Sequence, residues 1–424
     1  MVRGMDPSFP RGPCPEAGAH AAPRPLRAPR RPHHLGLVYA AYYGALGALA
    51  PFLPLFYRAH GMDGLQIGAL AAVAPALALV CQPLWAGLAD RRGQRRTLLL
   101  TLLAGSGITS LLFLLARNFA AFLLCAAAMS VFSTSVGPVA DSLTILHLGV
   151  ARERYARIRL WGAAAFALAT VSVGAVLGRD GLALIFPVYA VGLALALVLV
   201  AGGPSGSAPA AQRRRPWDAL PELWRTPAYR AFVGVACLLQ LASSANNAFL
   251  SVYLHTLGSS ARVVGLAWAV AAASEVPVMA LVPHVVSRLG PRRVLTAALL
   301  VYAARYALFS AFAARGAGWI LGLQLLQGLS FGLFYTTAVP YVSRLAPPHL
   351  QTSGQAVYAA ATQGATAIVS ALLAGLAFDA LGPRAVYEGA AVAAALAALA
   401  LGRSGLPLAP GREAAPASGA SIKF

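Results

Sequence analysis

From about residue 35 to residue 402 the chain is a succession of long apolar stretches separated by short polar ones. Twelve stretches stand out, near 35–57, 64–89, 97–116, 120–148, 158–178, 182–201, 228–255, 261–286, 294–314, 317–344, 352–378 and 385–402. Each is close to or above the roughly 20 apolar residues that a helix needs to cross the hydrocarbon of a bilayer. The pattern predicts an all-α membrane protein with twelve transmembrane helices. Pro75, Pro138, Pro277 and Pro340 fall inside these spans, where proline bends a helix.

One interruption is longer than the rest. Residues 202–227 include Gly203-Pro204-Ser205-Gly206-Ser207 and Arg213-Arg214-Arg215-Pro216, the composition of a flexible linker. It divides the spans six and six, into an N-terminal bundle over 35–201 and a C-terminal bundle over 228–403. Residues 1–34, rich in arginine and proline, and residues 404–424 are expected to be disordered tails. The two halves repeat at an offset of 197, which pairs Phe52-Leu53 with Phe249-Leu250, Gly61 with Gly258, Gly68 with Gly265, Gly93 with Gly290, and Arg95-Arg96 with Arg292-Arg293. Parallel six-helix repeats characterise a transporter architecture with its binding site near the bilayer midplane. The expected fold is therefore two pseudo-symmetric six-helix bundles.

Composition agrees with a membrane origin. Apolar residues make up 58% of the 424 and charged residues 11%, against about a quarter charged in soluble chains. Cys14, Cys81, Cys125 and Cys237 are too few and too scattered for a disulfide framework or a zinc site, and no metal or cofactor is expected. The net charge of +20 would suit a nucleic-acid binder, but its arginines sit in short clusters between spans and no nucleic-acid motif accompanies them. With both termini on one side, 26 of the 33 basic residues fall in the tails and the loops of that side, and six in the opposite loops. That bias predicts cytoplasmic termini, a plasma (inner) membrane location and contact with anionic lipid; a monomer is expected.

After the second span comes Gly87-Leu88-Ala89-Asp90-Arg91-Arg92-Gly93-Gln94-Arg95-Arg96. It resembles the loop motif G-x-L-A-D-R-x-G-x-R-R of the major facilitator superfamily. Gly93 permits a tight turn, and Asp90 is suited to pair with an arginine or cap a helix. Gly87, Asp90, Arg91, Gly93, Arg95 and Arg96 are read as a conformational latch; the plainer alternative is that the arginines only set topology. In the second copy Ser287 stands in place of the acid.

Three charged residues lie well inside spans or close to it: Asp141, Glu275 and Arg305. A charge at a helix centre costs about 2.5–3.5 kcal/mol, so such residues pair, face water, or carry protons or substrate. Counted from Arg288 and Arg293, Glu275 and Arg305 both lie roughly 18–20 Å from the basic edge, which makes them an expected ion pair, either structural or linked to protons and substrate. Asp141 is expected to pair with Arg157 or Arg159 and to close a cytoplasmic gate or serve the site. Tyr42, Tyr43, Trp161, Asn246, Asn247, Gln324, Gln327, Tyr335, Thr336 and Thr337 are candidates for a polar, aromatic cavity lining, the alternative for each being an interhelical hydrogen bond.

The segments Pro138-Val139-Ala140-Asp141, Tyr155-Ala156-Arg157-Ile158-Arg159-Leu160-Trp161-Gly162 and Glu275-Val276-Pro277 narrow the resemblance. The chain resembles, over about residues 35–403, the branch of the major facilitator superfamily that includes phenylpropionate permeases and nucleoside–proton symporters, and more distantly lactose permease. The resemblance implies proton-coupled alternating access. It also implies that Glu275 and Arg305 stand where lactose permease places the acid and base that bind galactoside and couple protons. The chain departs from that branch where Gln327 and Tyr335 occupy a span in which other members carry histidines, and where Leu77 to Trp85 has no basic residue. The expected activity is secondary transport of a small organic solute (an aromatic acid, a nucleoside or a sugar-like molecule) coupled to protons. Uniport, export of drugs or metabolites, and a non-transporting receptor or scaffold are the alternatives. No nucleophile–base set is present, so an enzyme is not expected.

Overall fold

The computed structural model describes residues 32–92, 94–148, 155–177, 181–203, 216–312 and 315–405. Twelve long apolar helices run through it: α1 (His33–Ala59), α2 (Gly64–Arg92), α3 (Arg95–Leu114), α4 (Phe119–Leu148), α5 (Tyr155–Val176), α6 (Leu182–Ala201), α7 (Pro227–Thr256), α8 (Ala261–Leu289), α9 (Pro291–Ala311), α10 (Ala317–Leu345), α11 (Pro348–Leu381) and α12 (Pro383–Arg403). The even number puts both ends of the bundle's chain on one face, here the terminus face, and the α1–α2 and α11–α12 turns on the opposite face. In each half the helices are tied by buried aromatic layers, such as Phe56, Phe113, Phe122 and Phe186 in the first and Tyr253, Tyr306, Phe309 and Tyr387 in the second.

The repeat seen in the sequence has a backbone explanation. Gly61 and Gly258 turn the chain from α1 to α2 and from α7 to α8 with φ of 79° and 78°, a conformation that glycine adopts without a Cβ penalty. Gly68 and Gly265 lie on the two seams where the halves meet, α2 against α11 and α5 against α8. A Cβ at Gly68 would stand 2.3 Å from the carbonyl oxygen of Ala371, and one at Gly265 would stand 2.2 Å from that of Thr170. Gly375 and Gly174 repeat the device one turn further along, against the carbonyl oxygens of Gly64 and Ala261 at 2.4 and 2.8 Å. All four approaches sit in the part of the helices nearer the opposite face, which is therefore closed by backbone-to-backbone contact. Toward the terminus face the contact relaxes: a Cβ at Gly87 of α2 would meet nothing within 4 Å, and Leu160 and Trp161 of α5 are about half exposed.

Pro138 is accommodated by a bond from the neighbouring helix. Pro138 cannot donate to the carbonyl four residues back, and that carbonyl, of Thr134, accepts from Gln82 Nε2 at 2.9 Å instead. Trp85 donates to the Val131 carbonyl at 2.8 Å, so the Gln82-Pro83-Leu84-Trp85 segment docks α2 on α4.

The stretch between the halves differs from the flexible linker expected over 202–227. Residues 216–225 form helical turns, with Leu223 and Ala219 buried. Tyr229 donates to the Gly354 carbonyl at 2.7 Å, and Glu222 pairs with His349 at 3.0 Å, both at the start of α11. Burial of these apolar residues offsets the entropy that a linker would keep. Residues 204–215, like most of the two tails, lie outside the described residues.

Candidate functional site

Two polar clusters face the interior between the halves, one from each. In the first half, Asp141 on α4 accepts from Tyr39 Oη of α1 at 2.5 Å through one oxygen and faces Arg159 Nη1 of α5 at 3.6 Å through the other. Arg159 also reaches the Tyr155 hydroxyl at 3.4 Å and lies over the Tyr43 ring at 5.5 Å. The Tyr43 ring stacks on Tyr39 and meets Tyr42 edge-on, and together with Val38, Gly137, Ala140 and Asp141 the three tyrosines line a small cleft. The Arg-x-Arg-x-Trp-Gly segment explains itself residue by residue here. Arg159 meets the acid, Trp161 covers Gly36, where a Cβ would stand 3.0 Å from its ring, and Gly162 leaves room for Tyr43, where a Cβ would stand 2.7 Å away. The pairing left open between Arg157 and Arg159 is made by Arg159; Arg157 is exposed.

In the second half, the expected direct ion pair between Glu275 and Arg305 is not formed. Gln327 of α10 stands between them, its Nε2 donating to Glu275 Oε1 at 3.1 Å and its Oε1 accepting from Arg305 Nη1. Arg305 Nη2 donates to Gln324 Oε1 at 2.5 Å. Arg305 is 1% exposed and its guanidinium lies over the Tyr306 and Phe309 rings at 5.4 and 5.0 Å, while its Nε and the Gln324 Nε2 have no partner among the described residues. The equal depth of the two charges in their helices is what lets one amide span them.

A local defect in α10 presents the two glutamines. The helix loses its regular hydrogen bonding at Gln324–Leu325, and a π-turn follows over Gly328–Gly332. Gly328 packs directly on α8, where a Cβ would lie 2.1 Å from the Ser274 carbonyl, and its amide donates to Ser274 Oγ at 3.0 Å. A second π-turn interrupts α11 at Ala360–Thr366. Such turns inside α-helices gather at functional sites.

Arg159 lies within electrostatic range of Glu275, and Tyr335 within that of Tyr43, so the two clusters approach each other across the interface between the halves. The other lining candidates separate. Tyr335 is 42% exposed and stacked on Phe331, Gln327 is half-buried in the bridge, and Asn247 is exposed. Asn246 is buried, with no partner for its Oδ1 among the described residues; the 100° between adjacent helical residues separates the two asparagines. Trp161 sits on Gly36 near the terminus face. Gln324 and Thr337 are buried in the second bundle.

Of the loop segment read as a latch, Gly93 and the side chains of Asp90 and Arg91 lie outside the described residues. Arg96 serves its own half: its Nε donates to the Val200 carbonyl at 3.1 Å and its Nη2 to that of Ala201, at the C-terminal end of α6. Arg292 does the same for α12, donating to the Gly402 carbonyl at 2.8 Å. Cations on orphan terminal carbonyls are a helix-capping device, and this pair repeats it in both halves.

Sequence reading missed Tyr39 and Asp379. Tyr39 lies three and four residues before Tyr42 and Tyr43, the spacing of one helix face, and that period was the available signal. Asp379 accepts from the amides of Gly64 and Leu65 at 2.7 Å each, across the α2–α11 seam. Among the described residues, no three His, Cys, Asp or Glu side chains converge as a metal shell requires.

Twelve helices in two repeated bundles, meeting at glycine seams around paired polar clusters, define a multi-pass membrane transporter rather than an enzyme. Residues 33–388 match the model of the MFS_1 like family, and the chain belongs to that family, within the major facilitator superfamily. It is similar to the maltose permease of Geobacillus stearothermophilus, 31% identical over 343 residues that cover 80% of this chain and 86% of the relative. It is also similar to a probable 3-phenylpropionic acid transporter of Escherichia coli (strain K12), 25% identical over 359 residues, 82% of this chain and 91% of the relative. The solved nucleoside transporter NupG shares the fold with a TM-score of 0.77 at 18% identity, over 88% of this chain and 98% of that one.

Proposed function

We propose that the chain is a proton-coupled secondary transporter that moves a small ring-bearing organic solute by alternating access. The observation that carries this reading is the relay Glu275–Gln327–Arg305. It runs from a half-buried carboxyl beside the cavity to a fully buried guanidinium that has no direct counter-ion. A carboxyl there can take a proton from the cavity, and loss of its charge changes what Gln327 and Arg305 must satisfy. Solute is held in the same cavity by Asp141, Arg159 and the tyrosines of α1. Paired acceptors and donors suit vicinal hydroxyls, and aromatic faces suit a sugar or aryl ring. Maltose, 3-phenylpropionate and nucleosides, which the names of similar proteins mention, are the first solutes to try.

With closure at the opposite face and the 26-to-6 charge bias, the conformation reads as open toward the cytoplasm, with both termini there and the basic loops against anionic lipid of the inner membrane. The protein acts as a monomer, each copy holding both halves of the site. Reconstituted Glu275→Gln should lose accumulation driven by an imposed pH gradient and retain solute exchange. Accumulation equal to that of the parent would remove Glu275 from coupling.

A further inference from the structure

At the start of α2, every early amide has a partner, and the partners come from two different halves. Asp63, just before the helix, accepts from the Gln66 amide at 2.7 Å, and Gln66 Oε1 accepts from the Asp63 amide at 3.1 Å, a local capping box. That leaves the amides of Gly64 and Leu65. Both are taken by Asp379 from the end of α11, one oxygen to each, at 2.7 Å. The carboxylate reaches them because Gly64 has no side chain: a Cβ there would lie 2.6 Å from Asp379 Oδ1. Beside it, the guanidinium of Arg58 lies 5.8 Å from the Phe378 ring, a second contact between the halves at the same rim.

Among the described residues, the start of α8 at the other seam carries no matching carboxylate bond. Gly174 and Gly265 bring α5 and α8 together much as Gly375 and Gly68 bring α11 and α2, but α8 begins after Ser260, which makes no side-chain cap. The glycine contacts recur at both seams, and Asp379 adds its two bonds to them at this one.

We propose that Asp379 is the bolt of the opposite-face gate, a carboxylate of the second half that holds the first half shut by capping α2. Separating the halves at this face breaks both bonds at once, exposing two helix-terminal amides and a carboxylate. The aspartate is exposed at the rim, so water replaces what is lost. The bolt therefore biases the gate without sealing it, as a cycling carrier requires. Two charge-assisted bonds to a helix N-terminus, discounted for exposure, correspond to about tenfold in the closed-to-open ratio. The inference stands on the geometry of the seam and is independent of whether Glu275 couples to protons.

The test is a distance measurement across the opposite face in the full-length chain. Spin labels at Arg117→Cys and Arg315→Cys, one exposed site in each half, are introduced after replacement of the four native cysteines, and the protein is reconstituted in nanodiscs. Asp379→Ala should move population from the shorter to the longer distance by about tenfold in ratio, and Asp379→Asn by at least threefold, since an amide offers one acceptor in place of two. Asp63→Ala, which weakens the same helix start from within its own half, should leave the distribution in place. Distributions for both Asp379 variants that match the parent would overturn the proposal. So would an Asp63→Ala shift as large as that of Asp379→Ala, since the carboxylate would then only be capping a helix. Should Asp379→Ala fail to fold, Asp379→Asn, nearly isosteric with the parent, decides on the same criterion.

Discussion

Replacing Gln327 with leucine removes the side chain that touches both Glu275 and Arg305 while keeping its bulk. The parent amide makes two hydrogen bonds to charged groups, one donated to the carboxylate and one accepted from the guanidinium. Bonds of that kind contribute about 1.5–3 kcal/mol each. Arg305 keeps Gln324 and the faces of Tyr306 and Phe309, and Glu275 is only half-buried, so water recovers part of the loss on the carboxylate side. The net cost expected for Gln327→Leu is about 3 kcal/mol of folding stability. The sharper prediction is the coupling. In a double-mutant cycle with Glu275→Gln, the two changes act on one bond, so their joint effect should fall short of the sum by about 1–2 kcal/mol. A cycle with Arg96→Ala, which caps α6 and shares no partner with Gln327, should be additive within about 0.5 kcal/mol. Equilibrium unfolding in detergent micelles supplies both numbers, and uptake under a pH gradient supplies a functional reading of the same variants. Additivity between positions 275 and 327, or a cost for Gln327→Leu below about 1 kcal/mol, would refute the relay.

Two further outcomes follow from the geometry. Tyr39→Phe removes a bond to Asp141 but leaves Arg159 in place, so solute affinity read by thermal shift should fall roughly tenfold, whereas Arg159→Gln should abolish the shift; equal effects would mean that the acid is not positioned by these two groups. Gly265→Val places methyl groups where even a Cβ would stand 2.2 Å from the Thr170 carbonyl, so α5 and α8 must part. The variant should lose about 1–3 kcal/mol of stability and lengthen distances across the opposite face, and an unchanged distribution would show that the seam is not closed in the membrane.

What could be read in the sequence and what could not divide along one physical line. The spans were legible because hydrocarbon demands about 20 apolar residues in a row, and short-range composition records that demand directly. The paired glycines were legible because the repeat puts Gly61 with Gly258 and Gly68 with Gly265 at one offset, although their use, two turns and two seam contacts, needed coordinates. The common depth of Glu275 and Arg305 was legible from the helical rise. The amide between them was not, because it depends on the interruption of α10 at Gln324–Leu325, and no local pattern announces that break. Asp379 was hidden for a different reason. An acid at the end of a span is the ordinary place for one, and its partners are backbone amides 315 and 314 residues away, which carry no side-chain signature.

The placement of polar groups also bears on how such a carrier would move. Glycine approaches to backbone carbonyls on both seams lie near the opposite face, and the two charged clusters lie inward from them. Among the described residues, a rotation of the halves about the clusters would break van der Waals contact, the two Asp379 bonds and the Arg58–Phe378 contact at one face, and would leave the hydrogen-bonded charged networks intact, since each is made within its own half. Had Glu275 paired directly with Asp141's partner Arg159 across the cavity, every cycle would have to separate an ion pair in a poorly solvated crevice, at a cost of several kcal/mol. Charges satisfied within each half and backbone packing between the halves would let the halves of the proposed alternating-access carrier part without separating an ion pair. A solute that bridges Arg159 and Glu275 would add direct contact to the long-range attraction between them, and it would favour closure around itself only to the extent that it contacts both halves.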